Sequence, residues 1–461
     1  MQRDYYIEFF EFVDILLREY IDETKEKYPD AFTVGNCCCE VPVICFLLLE
    51  RYYTSAKEIY SHLRRSGINR EEIHTVFKKE LDKTVTRNFM QSPILPSKVN
   101  EKLLAMLLPY RHQIFIYALN RRHFEYLLPL IRQINRPVFL VTEHEISDET
   151  DLPAYVTVFE MAFLKERYYS PFLYHNFPEI YGYFNSFAQL LTVLQPCYAI
   201  VMEGCNYRQA IIAIISKSLS IPSICVQQGW PSILLSCFRN MQYDYFFTWG
   251  NLFNDLWKIK NPVPVFVSTG YMYPVLPLLP LRKKKNITFF LQVPFSISNM
   301  AYFRESLDFL LQCAVLFPTQ FFCVKQHPLF PVPNEYRELI DMHDNIKDVS
   351  NEPLEEIFAN TILVVGHFSS CLMEGIVHGC VPFVFDPVCQ SRYNPDIEKM
   401  ELGLITGSLE EAVEKMKIFL LNPFQRDHFL SKINEIKDRL FSSNGNETVK
   451  KMIEYINNNI K

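Results

Sequence analysis

Short apolar segments alternate with helical segments over most of the chain, beginning near residue 112. Short apolar runs bounded by turn residues are typical of buried strands, and strands that alternate with helices predict a parallel sheet covered on both faces. The predicted strands of this first series are His112–Ala118, Val138–Thr142, Tyr155–Phe159, Ala199–Met202, Ser223–Val226, Tyr245–Thr248 and Val265–Val267. The predicted connecting helices include Arg121–Ile134, Ile180–Leu194 and Arg208–Leu219.

A second alternating series follows a segment rich in Pro, Leu and basic residues, Pro274–Lys285, which reads as a linker. Its predicted strands are Ile287–Val293, Phe321–Val324, Ile362–Val365 and Val381–Phe385. We therefore predict two Rossmann-like domains, residues 99–275 and 276–424. The tail, residues 425–461, is predicted to form a C-terminal helix, and a terminal helix in such tandem folds often crosses back over the first domain.

The first 98 residues have a helical pattern. Apolar residues between Tyr5 and Leu17 form a broad apolar surface, and Val43–Arg65 contains few helix breakers. An aromatic surface of this kind is more often buried core than membrane contact. We expect residues 1–98 to form an N-terminal helical region.

Composition and charge narrow the classes of function. A chain of 461 residues with 49% hydrophobic residues is globular, and its net charge of −6 argues against broad nucleic-acid binding. The run Arg282-Lys283-Lys284-Lys285 is interpreted as a solvated linker. The start Met-Gln-Arg-Asp is not that of a signal peptide, and the longest apolar run, Val41–Leu49, is too short to span a bilayer.

The thirteen cysteines are scattered and include no CxxC pair, so neither a zinc site nor a disulfide framework is predicted. No acidic pair suited to a metal follows a predicted strand. Reduced thiols fit a cytoplasmic protein. We expect no metal and no cofactor.

The stretch Thr361–Pro387 is the richest in candidate chemistry. It reads as strand, turn, helix and strand, with Ser369 and Ser370 at the helix start. Hydroxyls and free N–H groups at a helix start suit a phosphate, although serine is also the ordinary N-cap residue. Glu374 lies one place beyond the capping-box position, so its carboxylate could accept hydrogen bonds from a ribose or simply favour the helix dipole.

Ligands of open α/β sheets bind beyond the carboxyl ends of the strands. Three predicted strands end in polar residues: Glu203-Gly204, Lys325-Gln326-His327-Pro328 and the turn His367–Ser370. We expect a cleft between the domains to bring them together. There a carboxylate could take a proton from an attacking hydroxyl, and an imidazole could protonate or hydrogen-bond a leaving phosphate. Alternatively, Glu203 is a polar residue before a glycine turn and His327 a strand end fixed by Pro328.

Three short motifs together resemble a motif set of bacterial GT-B sialyltransferases and polysialyltransferases: Met202-Glu203-Gly204, His327-Pro328 and Ser369-Ser370. Those enzymes carry an acidic-acidic-Gly motif, an HP motif and a serine pair. Related sets occur in capsule-type Kdo transferases and, more loosely, in CDP-glycerol glycerophosphotransferases. The resemblance covers residues 195 to 390 and implies a GT-B-like fold, two Rossmann-like domains facing a cleft. It also implies a metal-independent glycosyltransferase that uses a nucleotide-sugar donor, with CMP as the nucleotide and a sugar acid such as sialic acid or Kdo.

Applied to the matching positions of this sequence, the resemblance implies that Glu203 is the general base and that His327 is the general acid or a phosphate partner. Met202 replaces the first acidic residue of the motif, which leaves a single carboxylate. No aspartate lies near Gln292, so an inverting displacement is preferred to a retaining one. The residues expected on the donor side are Lys325, Pro328, His367, Ser369, Ser370, Glu374 and Gln292, and those on the acceptor side are Gly204, Gln228 and Gly229.

The expected partners are the nucleotide-sugar donor and a glycan or glycolipid acceptor, with peripheral contact at the cytoplasmic face of the inner membrane. Alternative activities on the same fold are a CDP-polyol phosphotransferase, a UDP-sugar glycosyltransferase and, more remotely, a sugar-nucleotide epimerase. A different class is a non-catalytic nucleotide- or glycan-binding subunit of a capsule assembly complex, which uses the N-terminal helical region for docking.

Overall fold

The computed structural model describes residues 2–48, 71, 75, 79, 101–146, 151–229, 236–276, 284–292, 300–328, 330–367, 369–386 and 397–460. The chain divides into two compact units, and each is described by itself. The first unit contains residues 9–48, the described residues between 69 and 273, and residues 442–460. The second unit contains residues 2–8 and the described residues between 274 and 441.

The core of the first unit is a parallel sheet of seven strands in the order β5-β4-β3-β6-β7-β8-β9. The strands are β3 (Ile114–Ala118), β4 (Val138–Thr142), β5 (Val156–Glu160), β6 (Ala199–Met202), β7 (Ser223–Val226), β8 (Tyr245–Thr248) and β9 (Val265–Ser268). Every residue of β3 and β4 is buried, as the continuous apolar runs predicted. The strand order reverses between β3 and β6, which is the place where ligands bind in doubly wound folds.

Helices cover both faces of this sheet. Three of them begin with a clear sequence signal: Asn120 caps the helix that follows β3, Asn206 and Gln209 form a capping box after β6, and Pro178 begins the long helix before β6. The helices are α3 (Glu101–Met106), α4 (Arg121–Gln133), α5 (Pro171–Asn176), α6 (Pro178–Leu194), α7 (Tyr207–Ser218) and α8 (Asn251–Lys258).

The N-terminal segment packs, from residue 9 onward, within the first unit. Its helices α1 (Gln2–Lys27) and α2 (Glu40–Phe46) flank a short hairpin of β1 (Thr33–Val34) and β2 (Cys37–Cys38). The expectation of an entirely helical segment is therefore wrong at the hairpin, where Gly35 adopts a φ of +58° that favours glycine. Much of residues 49–100, including the predicted continuation of the Val43–Arg65 pattern, lies outside the described residues.

The apolar surface of α1 is buried at the positions where it is best described. Val13 and Leu17 are fully buried and Ile21 is 3% exposed. On α2, the ring of Phe46 packs edge-on against Phe177 and Tyr207. These contacts support the interpretation of the segment as core.

The C-terminal tail consists of two helices, and the second of them returns to the first unit. Helix α14 (Pro423–Leu440) is followed by a break and then by α15 (Gly445–Asn459), whose apolar face joins the core that contains α4. The main chain of Tyr271 pairs with both Ser443 and Gly445. The prediction of a single helix is wrong at this break, because these main-chain bonds require an extended segment between the two helices.

The core of the second unit is a parallel sheet of six strands in the order β12-β11-β10-β13-β14-β15. The strands are β10 (Asn286–Phe290), β11 (Phe321–Lys325), β12 (Ile346–Asp348), β13 (Thr361–Gly366), β14 (Val381–Phe385) and β15 (Leu404–Thr406). The helices are α9 (Met300–Leu316), α10 (Asn334–Asp341), α11 (Leu354–Asn360), α12 (Cys371–Val377), α13 (Leu409–Leu421) and α14. Here the order reverses between β10 and β13.

Both sheets are parallel and in Rossmann-type order, so the predicted α/β fold class with two Rossmann-like domains is confirmed. Among the described helices, none is both long and apolar enough to cross a bilayer.

Lys284 corrects the interpretation of residues 282–285 as a solvated linker. Its side chain is 5% exposed, and its Nζ donates to the carbonyl oxygens of Phe358 (3.1 Å) and His378 (2.6 Å). Both carbonyls lie at the ends of helices, where main-chain acceptors lack helical partners and a cation is favoured. Burial, with Lys284 and Lys437 nearby, lowers the pKa of His378 to about 3.

We expect Lys284→Met to destabilise the second unit by about 1 to 3 kcal/mol, because the buried His378 carbonyl loses the lysine donor and the Phe358 carbonyl keeps only its other donors. Lys285→Met is the matched control, since the Lys285 side chain is exposed. Chemical denaturation of both variants measures the difference. Equal stability of the two variants would contradict a structural role for Lys284.

Candidate functional site

The reversal of strand order in the first unit brings two loops side by side. One loop follows β3 and leads into α4 at Arg121, and the other follows β6 and contains Glu203. Because β3 and β6 are adjacent and parallel, their carboxyl ends lie at the same edge of the sheet. This edge carries Glu203 and His123 in direct contact, with the positive charge of Arg122 nearby.

Glu203 has an unusual backbone. Its φ of +74° lies in the left-handed region, which a residue with a side chain adopts at a cost. Its N–H donates to Val226 O (2.9 Å), which fixes the loop to β7. Gly204 follows with a φ of +86°, and a Cβ there would meet Cys225 Sγ at 3.0 Å, so the glycine is required for close packing. The tight turn aims the Glu203 side chain toward α4.

His123 holds the carboxylate of Glu203. The imidazole Nε2 lies 3.2 Å from Glu203 Oε2, and the His123 side chain is 2% exposed whereas that of Glu203 is 35% exposed. The position of His123 follows from the start of α4, where its N–H donates to Oδ1 of the cap Asn120 (2.9 Å). One carboxylate oxygen is therefore anchored in the protein while the group remains accessible to a substrate.

The carboxylate is charged at neutral pH. Burial opposes its ionisation, but the hydrogen bond from His123, the positive charge of Arg122 and the Cys205 thiol outweigh burial. The pKa of Glu203 consequently lies below its ordinary value. A glutamate in this state can accept a proton but cannot donate one.

Gln228 belongs to the same edge, after β7. Gln228 is 6% exposed. With its side-chain amide oriented so that the oxygen faces Arg122, this oxygen accepts from Arg122 Nε (2.6 Å) and Nη2 (3.2 Å). Gly229 O accepts from Gln227 Nε2 (2.9 Å), and Gln227 Oε1 accepts from Trp249 N (2.8 Å). The carboxyl edge of the first sheet thus carries Glu203, Gly204, Gln228 and Gly229, together with Arg122 and His123. The acceptor-side role of Gly204, Gln228 and Gly229 stays a prediction.

Sequence reasoning missed His123. A histidine on the first turn of a helix gives no signal by itself, and its partner lies 80 positions away in the chain. The available signal was the position of this turn, directly after the strand at which the order reverses.

A second polar network, also missed, lies after β4. Glu143 Oε1 lies 3.1 Å from Arg208 Nε, and Tyr183 OH donates to Glu143 Oε2 (3.0 Å). The guanidinium of Arg208 lies over the rings of Tyr183 (4.4 Å) and Tyr207 (4.6 Å). Charge pairing and cation–π contact stabilise the position of the Arg208 side chain at the start of α7.

In the second unit, Lys325 is held by main-chain oxygens. Its Nζ donates to Ser350 O (2.5 Å) and Glu352 O (3.1 Å). Burial lowers the pKa of Lys325, and nearby acidic groups partly oppose this effect. Lys325 therefore ties the end of β11 to the loop after β12, and its predicted contact with a donor stays a prediction.

His327 and Pro328 form the turn after β11. His327 is half-buried, and its carbonyl accepts from Phe330 N (3.0 Å), while Pro328 is exposed. Gln326 fixes the turn because its Oε1 accepts from Val332 N (2.8 Å). His327 thus lies on a turn with main-chain and Gln326 side-chain hydrogen bonds, at the carboxyl edge of the second sheet.

Four donor-side candidates follow the two strands at which the order of the second sheet reverses. Gln292 follows β10, and His367, Ser369 and Ser370 follow β13. Ser369 Oγ accepts from Cys371 N (3.3 Å), whereas Ser370, the N-cap residue, makes no side-chain cap hydrogen bond. The simple N-cap explanation thus applies to Ser369 and not to Ser370.

The remaining donor-side candidates are buried. His367 is fully buried, with Nδ1 3.7 Å from Asp386 Oδ1, and Glu374 is 2% exposed on α12. Their predicted contacts with phosphate and ribose stay predictions. Within the described part of the chain, no group of three or more His, Cys, Asp or Glu residues could hold a metal ion.

No protein-family profile matches the sequence, and no curated protein matches it. Solved structures do match. UDP-GlcNAc 2-epimerase from Neisseria meningitidis bound to UDP-GlcNAc has a TM-score of 0.52 and 10% identity, covering 75% of this chain and 100% of that one. S. aureus MnaA in a co-structure with UDP has a TM-score of 0.50 and 12% identity, covering 75% and 96%.

The wall teichoic acid polymerase TagF has a TM-score of 0.45 and 10% identity, covering 85% of this chain and 96% of that chain. Identities this low establish a shared fold and not a shared activity. The chain therefore has a GT-B-like fold, built from two Rossmann-like units.

Proposed function

We propose that this protein is a metal-independent glycosyltransferase that moves a sugar, specifically a sugar acid such as sialic acid or Kdo, from a CMP-activated donor to a cell-surface glycan. The acceptor hydroxyl attacks the anomeric carbon while Glu203 takes its proton. The bond between the anomeric carbon and the phosphate oxygen breaks, CMP leaves, and His327 protonates or hydrogen-bonds the leaving phosphate. The single displacement inverts the anomeric configuration.

The observation that carries the proposal is the state of Glu203. Its carboxylate is ionised, anchored on one side by His123, accessible on the other, and held on a strained turn at the switch point of a Rossmann-type sheet. Strained backbone at a strand end is typical of functional sites. A polar residue that merely precedes a glycine turn would not need an anchored, charged side chain.

On the donor side, His327 is held at the carboxyl edge of the second sheet, where its loop is fixed by Gln326. Ser369 and Ser370 at the start of α12, with Gln292 after β10, would contact the donor phosphate. Lys325 would contribute positive charge. Its Nζ already has two carbonyl partners, so we assign it the weaker role.

The nucleotide is tested by binding. We expect CMP to raise the melting temperature more than CDP or UDP does, since a ligand at ~100 times its Kd adds about 2.7 kcal/mol to stability. Differential scanning fluorimetry with the three nucleotides measures this preference. A shift with UDP alone would overturn the CMP assignment.

A second candidate function is favoured by the solved structures of similar fold. The two with TM-scores of 0.52 and 0.50 are named with UDP-GlcNAc or UDP, and one of them is a 2-epimerase. A UDP-sugar transferase or a sugar-nucleotide epimerase would use the same fold. Product analysis separates them, because an epimerase releases an isomerised sugar nucleotide without any acceptor.

Two further candidate functions are a CDP-polyol phosphotransferase and a non-catalytic subunit of a capsule assembly complex. The first would be recognised by binding of CDP, and the second by nucleotide binding without turnover. We place the protein in the cytoplasm, with peripheral contact at the inner face of the membrane where a glycolipid acceptor would lie.

A further inference from the structure

We infer that His123 is the positioning residue of the proposed reaction: it holds the Glu203 side chain in the orientation needed to accept a proton from the acceptor hydroxyl. The inference rests on the proposed function and goes beyond it, because neither the motif resemblance nor the fold similarity assigns any role to this histidine.

The direction of the hydrogen bond is fixed by chemistry. An ionised carboxylate can only accept, so the hydrogen between His123 Nε2 and Glu203 Oε2 belongs to the imidazole. His123 Nδ1 is buried and has no hydrogen-bond partner among the described residues. The imidazole therefore meets a polar partner through Nε2, and that partner is the Glu203 carboxylate.

The burial of the pair is unequal, and this inequality suits a positioning role. His123 is 2% exposed, so a substrate reaches Glu203, at 35% exposure, and not the imidazole. His123 therefore acts through Glu203. Its place on the first turn of a capped helix keeps it rigid, and a rigid donor prevents the carboxylate from turning away from the substrate.

Other titratable or charged groups also face Glu203. Arg122 on α4 favours its ionisation, and the Cys205 thiol on the same loop contributes in the same direction. Burial raises the pKa of Cys225 and of Tyr243, so both stay neutral across the working range. Of these groups, His123 makes the largest contribution that favours the charged carboxylate.

The test compares His123→Leu, which removes the donor, with His123→Gln, which retains one. We expect the low-pH limb of the transfer rate to move to higher pH in His123→Leu, with a loss of rate below the limb and little change above it. The limb of His123→Gln should lie closer to that of the wild type. Carbon-13 NMR of the Glu203 carboxyl, assigned with Glu203→Gln, should show the same shift without any substrate.

An unshifted carboxyl titration in a folded His123→Leu protein would overturn the inference, and so would a loss of rate that is equal at every pH. The proposed function fails separately. If Glu203→Gln retains full transfer while the NMR titration shifts as expected, the hydrogen-bonded pair stands and the general-base assignment falls.

Discussion

Glu203→Gln is expected to lower the rate of sugar transfer by about 10²- to 10⁴-fold, the usual contribution of a general base. Gln has the same size but cannot take a proton, so the loss measures the chemistry and not the packing. The nucleotide should still bind, because no donor-side residue changes. Steady-state kinetics and a nucleotide titration on the same protein separate the two effects.

Glu125→Gln is the matched control for this substitution. Glu125 lies on the same helix as His123 and pairs at the surface with Arg121, with 52% of its side chain exposed. Surface pairs of this kind contribute little, so the control should retain full activity and stability. Full activity of Glu203→Gln in a folded protein would remove the general-base assignment.

His327→Ala is expected to lower the turnover number by about 10²- to 10⁴-fold, because the leaving phosphate loses its proton or hydrogen-bond donor. If the imidazole acts mainly in the transition state, the affinity for CMP should change by less than the rate does. Kinetics at saturating donor, combined with calorimetric titration of CMP, test this distinction.

His343→Ala supplies the comparison within the second unit, since His343 lies just after α10 and not at the carboxyl edge of the sheet. It should behave like the wild type. Equal activity of His327→Ala and His343→Ala would show that the His-Pro turn is only a strand end fixed by its proline.

The strands of both sheets were predictable because their chemistry is local. A strand buried on both faces needs apolar residues throughout, so an apolar run marks its bounds. Four strands have the bounds that the apolar runs indicated: Val138–Thr142, Ala199–Met202, Ser223–Val226 and Tyr245–Thr248. Both edge strands of the second sheet were missed. Strand β12 has polar, partly exposed residues and no apolar run, and β15 has only three residues.

The contacts that define the site were less predictable because they depend on residues far apart in the chain. Glu203 was visible as a carboxylate after a strand, but its partner His123 becomes meaningful only when β3 and β6 are known to be neighbours. Lys284 was misread for a similar reason. A lysine in a basic run gives no sign that two helix ends, at Phe358 and His378, will supply its acceptors.

The serine pair shows the intermediate case. The sequence predicted the strand, turn and helix correctly and left two explanations for the serines, a cap or a phosphate contact. The structure assigns a cap-like bond to Ser369 and no side-chain cap bond to Ser370. The local pattern identified the right turn, while the role of each hydroxyl depended on side-chain geometry that a pattern does not specify.

Sugar transfer is tested most directly by incubating the purified protein with CMP-linked sialic acid or CMP-linked Kdo and an oligosaccharide acceptor, and by following the release of CMP and the glycosylated product. We expect a product that forms without added metal and disappears in Glu203→Gln. Transfer that persists in Glu203→Gln, or turnover that occurs only with UDP-linked sugars, would contradict it.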